Sequence, residues 1–270
     1  MENLKEKMEE IKKFLNLIIS NEENLKKNLP ILKRGKKRIQ KGVFAGRNVK
    51  IEPNVFFDTS GGEIVIGDNT KIKTLSILRG PISIGRDCVI NSLAEISCSQ
   101  IGDVCKIGGE VERSVIAEYS NKQHHGFLGY SYVGRWVNIG AGTNVSDLKN
   151  TYSPVKIAGI DTGQQFLGCI IGDYCKTSIN TSIFCGKVIG TSSHLYGVVT
   201  EDVPSFVSHI KPGVLYEIPL EIAEKIQRRM ASRRGVEFTE KDSQEFRKLF
   251  RQTMGERKKA RVKKGKLSFK

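Results

Sequence analysis

Two adjacent histidines, His124 and His125, are followed by Gly126 and then, further along the chain, by Asn138 and the turn Gly140-Ala141-Gly142. Imidazole titrates near neutrality, so His124 suits a general base that takes a proton from an attacking amine. A glycine-rich turn admits an extended thioester-bearing arm, and its backbone N–H groups suit a developing oxyanion. Together these residue types describe acyl transfer to an amine, with Lys122 as a nearby cation. A three-histidine zinc site is the competing chemistry. The chain has four histidines, His124, His125, His194 and His209. Neighbours in an extended strand point to opposite sides, so His124 and His125 do not readily share a metal, and no metal is expected.

The elements that position these residues follow a beat of six. Aliphatic residues fall at Val43, Val49 and Val55, then at Ile66, Ile72, Leu78, Ile84, Ile90 and Ile96. The beat returns at Val133, Ile139 and Val145, and at Ile183, Ile189 and Leu195. That period fits neither a helix nor an alternating strand. It fits a chain that turns a corner every six residues, with three flat faces closing a triangular coil. The expected fold is all-β, a left-handed parallel β-helix of hexapeptide repeats with helical extensions at both ends. Across the histidines the beat reads Val115, Asn121, Phe127, Val133, which places His124 outward near a corner and His125 inward. Asn121 breaks the aliphatic rule next to the histidines, and a scaffold often breaks its rules at a working site. Of six cysteines, none forms a CxxC pair, and Cys88, Cys105 and Cys175 occupy the small inward slot, as reduced, space-filling thiols.

Three regions are expected. Residues 1–40 form a helical extension, with a seam of Leu4, Met8, Ile11, Leu15 and Ile18 suited to capping the solenoid or to a short coiled coil. Ser20 and Glu23 suggest a capping box for a second helix, which Pro30 ends or kinks. Residues 41–203 form the β-helix, with a polar loop inserted at 147–169. Residues 204–270 hold a helix over 219–234 that begins at Pro219 and is ended by Gly235, another from Thr239, and a basic tail that reads as disordered. The net charge of +15 favours an anionic partner. Nucleic acid is disfavoured, because no aromatic residues interleave with the basic ones. No apolar run approaches the ~20 residues of a membrane span, and the charged start lacks the layout of a signal peptide. A cytoplasmic location is expected.

The stretch His124 to Gly129, followed by V-N-I-G-A-G-T at 137–143, resembles the acetyltransferase half of the bifunctional glucosamine-1-phosphate acetyltransferase/N-acetylglucosamine-1-phosphate uridylyltransferase family. The wording of 120–150 and of 175–190 is closest to variant domains of sugar nucleotidyltransferases, and the resemblance covers roughly 43–203. It implies acetyl-CoA as co-substrate and a homotrimer whose donor cleft needs two chains. His124 matches the family's general base, Glu110 an acidic residue that supports it, and Asn138 an asparagine at the sugar and acyl site. Ala141 matches a backbone contact to the thiol arm, with Gly142 beside it. Ser178 matches a serine beside the thioester carbonyl, Tyr196 or Gly197 a residue lining the pantetheine, and Lys156 a sugar-phosphate lysine. The basic tail is expected to meet the 3′-phosphate of a neighbour's coenzyme A.

The departures bear on the acceptor. Phe127 stands for a tyrosine, Glu112 for a basic residue, Ala94 for a phosphate-gripping arginine, and Asp147-Leu148 for an asparagine-tyrosine pair. Lys122, Arg135, Lys149 and Lys156 are the candidates for a substitute phosphate site. No nucleotide loop of the uridylyltransferase type occurs, so no nucleotidyl transfer is expected of this chain; a separate nucleotidyltransferase is a candidate partner, with the Leu4–Ile18 seam as a candidate docking surface. The resulting expectation is an N-acyltransferase for an amino sugar or its phosphate. The alternative is a non-catalytic scaffold or regulatory subunit.

Overall fold

The computed structural model describes residues 2–265. Three sheets wrap one aliphatic column. The first face stacks Val43–Ala45, Ile64–Ile66, Ile82–Ile84, Gln100–Ile101, Val115–Ile116, Tyr132–Val133, Ile170–Ile171 and Val188–Ile189 in parallel. The second stacks Lys50–Ile51, Lys71–Ile72, Val89–Ile90, Lys106–Ile107 and Asn121–Lys122, continuing through single bridges at Asn138 into Lys176–Thr177, His194–Leu195 and Val207–Lys211. The third stacks Phe56–Asp58, Ile77–Arg79, Glu95–Ser97, Glu110–Glu112, Phe127–Gly129, Asn144–Val145, Ser182–Ile183 and Val198–Val199.

The beat residues are the column. Ile66, Ile72, Leu78, Ile90, Ile96 and Leu195 are wholly buried, while Val49 and Val55, in the first coil, are partly so. Parallel pairing places like on like, as in Ile66 beside Ile84 and Ile84 beside Ile101. Each buried isoleucine contributes roughly 1.5–3 kcal/mol. The stack therefore supplies the cohesion that two-residue strands lack.

Between residues 115 and 127 the beat is off by one. Ile116, Lys122 and Leu128 point inward, whereas Val115, Asn121 and Phe127 are only half-buried. The cause is the corner that follows: four residues, not five, separate the inward Leu128 from Val133, so a period of six counted back from Val133 lands on 127, 121 and 115. His125, expected inside, is exposed as a result, and Lys122, expected outside, is 2% exposed. One coil earlier a corner is shorter still, with only three residues (Gly108, Gly109 and Glu110) between Ile107 and Val111 against five between Ile90 and Ile96.

The amino-terminal helices α1 (Glu2–Ile19) and α2 (Asn21–Leu32) lie along the first face rather than over an open end. Ile11, Leu15 and Ile18 pack with Ile170 and Val188, and Phe14 stacks on Tyr132 with ring centroids 4.0 Å apart. The seam is thus consumed within the chain and is not a docking surface for another enzyme; the side chain of Leu4 lies outside the described residues. Ser20 makes no side-chain cap, and its backbone continues the helical bonding from α1 into α2. Pro30 sits inside α2, which runs on to Leu32.

The 147–169 loop is packed, not loose. Val155, Ile157 and Leu167 are wholly buried against α1, and Lys156–Ile157 pairs antiparallel with Ile160–Asp161. At the carboxyl end, Val207–Lys211 pairs antiparallel with Val214–Glu217 and brings Leu215 onto the end of the column. Then come α3 (Leu220–Ser232), α4 (Glu240–Gln252) and α5 (Met254–Lys259). Thr239 starts α4 with a capping box to Asp242. The basic stretch expected to be disordered instead folds: Arg257 is 3% exposed, bonds Glu217 at 2.8 Å and lies over Phe250, and Lys263 pairs with Tyr216. Residues 266–270 lie outside the described residues.

Candidate active site

The shortened corner opens a groove of about 490 Å³ on the edge between the second and third faces. Leu93, Glu95, Gly109, Glu110, His125, Gly126, Phe127, Gly142, Asn144 and Asn180 line it. The corner cut at Gly108–Glu110 withdraws the backbone at one level. Glycines at the next two levels, Gly126 and Gly142, keep the opening clear. Gly109, Gly126 and Gly142 have φ of +66°, +123° and +73°, and a Cβ on Gly126 would lie 2.1 Å from the Thr143 carbonyl oxygen.

Of the residues expected to do chemistry, Glu110, Gly142 and the histidine corner meet here. The imidazole lining the groove is that of His125. His124, on the same corner, is exposed, and its Nε2 lies 3.2 Å from the Gln123 amide. Asn144, which the sequence reading missed, ties the corner together. Its Oδ1 accepts from the Phe127 N–H at 2.9 Å, and its Nδ2 donates to the Gly142 carbonyl at 3.0 Å. Its position directly after G-A-G-T was the available signal, but the partners it joins are a coil apart.

The Gly140-Ala141-Gly142 turn is less free than expected. The Gly140 N–H donates to Thr177 Oγ1 at 2.8 Å, and the Gly142 N–H donates to the His125 carbonyl at 3.1 Å. Those two donors hold the coils together and are not available to an oxyanion. Ala141, Gly142, Ser178 and Tyr196 do fall along the same edge in successive coils, so this set shares one line parallel to the axis. Ser178 Oγ lies 3.1 Å from Thr181 Oγ1.

Asn138 is elsewhere. It bridges Asn121 and Lys176 on the second face. Its Oδ1 lies 3.4 Å from Asn121 Nδ2, and Asn121 also accepts from Arg234, just past the end of α3. The four cations proposed for a phosphate do not assemble. Lys122 is inside the column. Arg135 is held by Asp173, Nε to Oδ2 3.2 Å. Lys149 donates to the Pro154 carbonyl at 2.7 Å, and Lys156 pairs with Asp161 at 3.4 Å. The charged side chains lining the groove are the carboxylates Glu95 and Glu110, and Glu95 is itself paired with Arg79.

Burial sets the local ionisation. It pulls the Lys122 ammonium down to about 8, against which the Glu110 charge acts weakly. It raises Asp147, beside the third face, with Glu110 adding to the rise. It pushes the Cys88 and Cys175 thiols up to about 12, as suits inert packing residues.

No family model matches the chain. Over 168 residues it is 31% identical to the uncharacterized acetyltransferase YaiX of Escherichia coli, covering 59% of this chain and 73% of that protein. Over 106 residues it is 38% identical to a bifunctional sugar-1-phosphate nucleotidylyltransferase/acetyltransferase of Sulfurisphaera tokodaii, covering 36% of this chain but only 26% of that longer protein. Among solved structures, an Arabidopsis UDP-N-acetylglucosamine acyltransferase aligns over 69% of this chain and 74% of that one, at 16% identity and a TM-score of 0.39. No helix among the described residues is long and apolar enough to cross a membrane. Hexapeptide rungs, a histidine corner beside a V-N-I-G-A-G-T turn, and the extended match to YaiX lead to one assignment: the chain belongs to the hexapeptide-repeat acetyltransferases.

Proposed function

We propose that this chain is an acetyl-CoA-dependent N-acyltransferase acting on an amino sugar or amino-sugar phosphate. One observation carries the reading: the histidine corner, the Glu110 carboxylate and the glycine-flattened edge meet in one open groove. The pantetheine arm lies along the edge marked by Ala141, Gly142, Ser178 and Tyr196, and the acceptor amine enters beside Glu110. An imidazole takes the amine proton as nitrogen attacks the thioester carbonyl, and the tetrahedral intermediate then expels the coenzyme A thiolate. Holding amine and thioester together lowers the barrier most, and the base contributes about 10²–10⁴-fold. A homotrimer, with a neighbouring chain closing the groove, completes the proposal.

The motif selects His124 as the base and the groove lining selects His125. Thiol release from acetyl-CoA, measured against amino sugars, their 1-phosphates and their nucleotide-linked forms, tests the whole reading. Wild type is expected to release thiol with at least one acceptor. Either His124→Ala or His125→Ala is expected to lose about 100-fold or more in kcat, and that loss names the base. No acceptor-dependent release, together with no thermal stabilisation by acetyl-CoA, overturns the assignment and leaves a non-catalytic scaffold.

A further inference from the structure

The second face's inward column reads Ile72, Ile90, Ile107, Lys122, Ile139. One cation stands where every neighbour is aliphatic. Its ammonium is buried without a carboxylate in contact, an arrangement that costs several kcal/mol unless hydrogen bonds compensate. Here they do. Nζ donates to the Gly126 carbonyl at 2.6 Å and the Gly108 carbonyl at 2.8 Å, with the His124 carbonyl at 3.5 Å. These acceptors belong to two coils. Gly108 begins the shortened corner, while His124 and Gly126 flank His125 in the longer coil above.

The mismatch in length explains the need. A five-residue corner stacked on a three-residue one cannot keep the regular ladder, so carbonyls come within reach of a donor from inside the column. An isoleucine would fill the column but offer those oxygens no donor from within. The stem of Lys122 fills the column, and its head bonds all three.

We propose that Lys122 is a positioning residue, an internal strut that fixes the His124–Gly126 corner against the shortened coil and so sets where the imidazoles meet the groove. The kinetic consequence rests on the acyltransferase reading; the structural one does not.

The test uses the full-length chain with Lys122→Met and Lys122→Leu, both of which restore an apolar column. The first readout is amide hydrogen exchange at Glu110, whose N–H donates to the Gly126 carbonyl at 3.1 Å. Exchange there is expected to quicken at least tenfold in both variants, with protection at Ile72 and Ile183 unchanged. The second readout splits kcat from KM. kcat is expected to fall tenfold or more while the KM for acetyl-CoA stays within twofold, a pattern that general loosening of the fold would not give. Folded variants with wild-type exchange at Glu110 and wild-type kcat overturn the proposal. So do variants that fail to fold, since Lys122 is then an element of coil stability. If wild type itself releases no thiol, the acyltransferase reading falls, and the exchange result still decides the strut.

Discussion

Two edges of the same prism solve the same corner differently. On the edge between the first and second faces, Asn48, Asn69, Asp87, Val104, Tyr119, Trp136, Tyr174, Ser192 and Phe206 all take φ between +55° and +63°. Left-handed backbone is costly for residues with a Cβ, by roughly 1–2 kcal/mol each, and this edge offsets the cost by packing. Tyr119 stacks on Trp136 at 4.3 Å, while Tyr174 and Phe206 meet Phe246 of α4 edge to face. On the groove edge the corner passes from Asn54 through Leu75 and Leu93, 52% and 71% exposed, to Gly109, Gly126 and Gly142, and then to Asn180. Nothing among the described residues covers it as the helices cover the other. One edge is filled to stabilise the coil; the other is emptied, and the opening is the proposed site.

Four experiments sharpen or break that contrast. Gly126→Ala should have the largest effect, because its Cβ meets backbone rather than a movable side chain. A loss of more than about 3 kcal/mol in stability is expected by chemical denaturation, with acyl transfer abolished.

A pH series comes next. Burial lowers Lys122 from 10.5 to about 8, so between those values the unfolded chain binds the proton that the folded chain has released. Stability attributable to this group therefore rises with pH across that window, by an amount on the order of 3 kcal/mol. Below pH 8 both states carry the charge and the trend vanishes. The denaturation midpoint of wild type, followed from pH 7 to 10.5, should rise relative to that of Lys122→Met above pH 8. Parallel curves would mean that the ammonium is not shielded beneath the groove.

On the packed edge, Trp136→Ala should cost about 2 kcal/mol of stability and leave kcat unchanged. A fall in kcat at constant KM would show that the two edges are coupled. The smallest effect belongs to Arg135→Ala. Its exposed pairing with Asp173 contributes about 0–1 kcal/mol, and an unchanged acceptor KM is expected, since Arg135 lies off the groove.

The column was legible in the sequence because one residue per face must be apolar, and a period of six survives wherever coil length is constant. It failed between Val115 and Phe127 because the corner from Leu128 to Val133 is one residue short of the beat, and a count of six carried back across it shifts each position on the far side by one. His125 and Lys122 exchanged sides for that reason alone. Lys122 was hidden a second way, since lysine is ordinarily a surface residue and only the stacking of coils brings three carbonyls to its ammonium. Asn138 shares the V-N-I-G-A-G-T motif with Gly142, yet the motif turns a corner, so the two face different sides of the prism. The helix α1 seam was plain as an amphipathic stripe, but a stripe does not say which surface it covers.

The three-residue corner at Gly108–Glu110 carries a wider consequence. It makes the depth of the cleft a matter of chain length rather than of side-chain identity. In a scaffold built from repeats, a small deletion in a single rung carves a recess while the rungs on either side keep their alignment, and an insertion of the same size would erase it. Substrate range in such a molecule is therefore as open to change by indels as by point substitution.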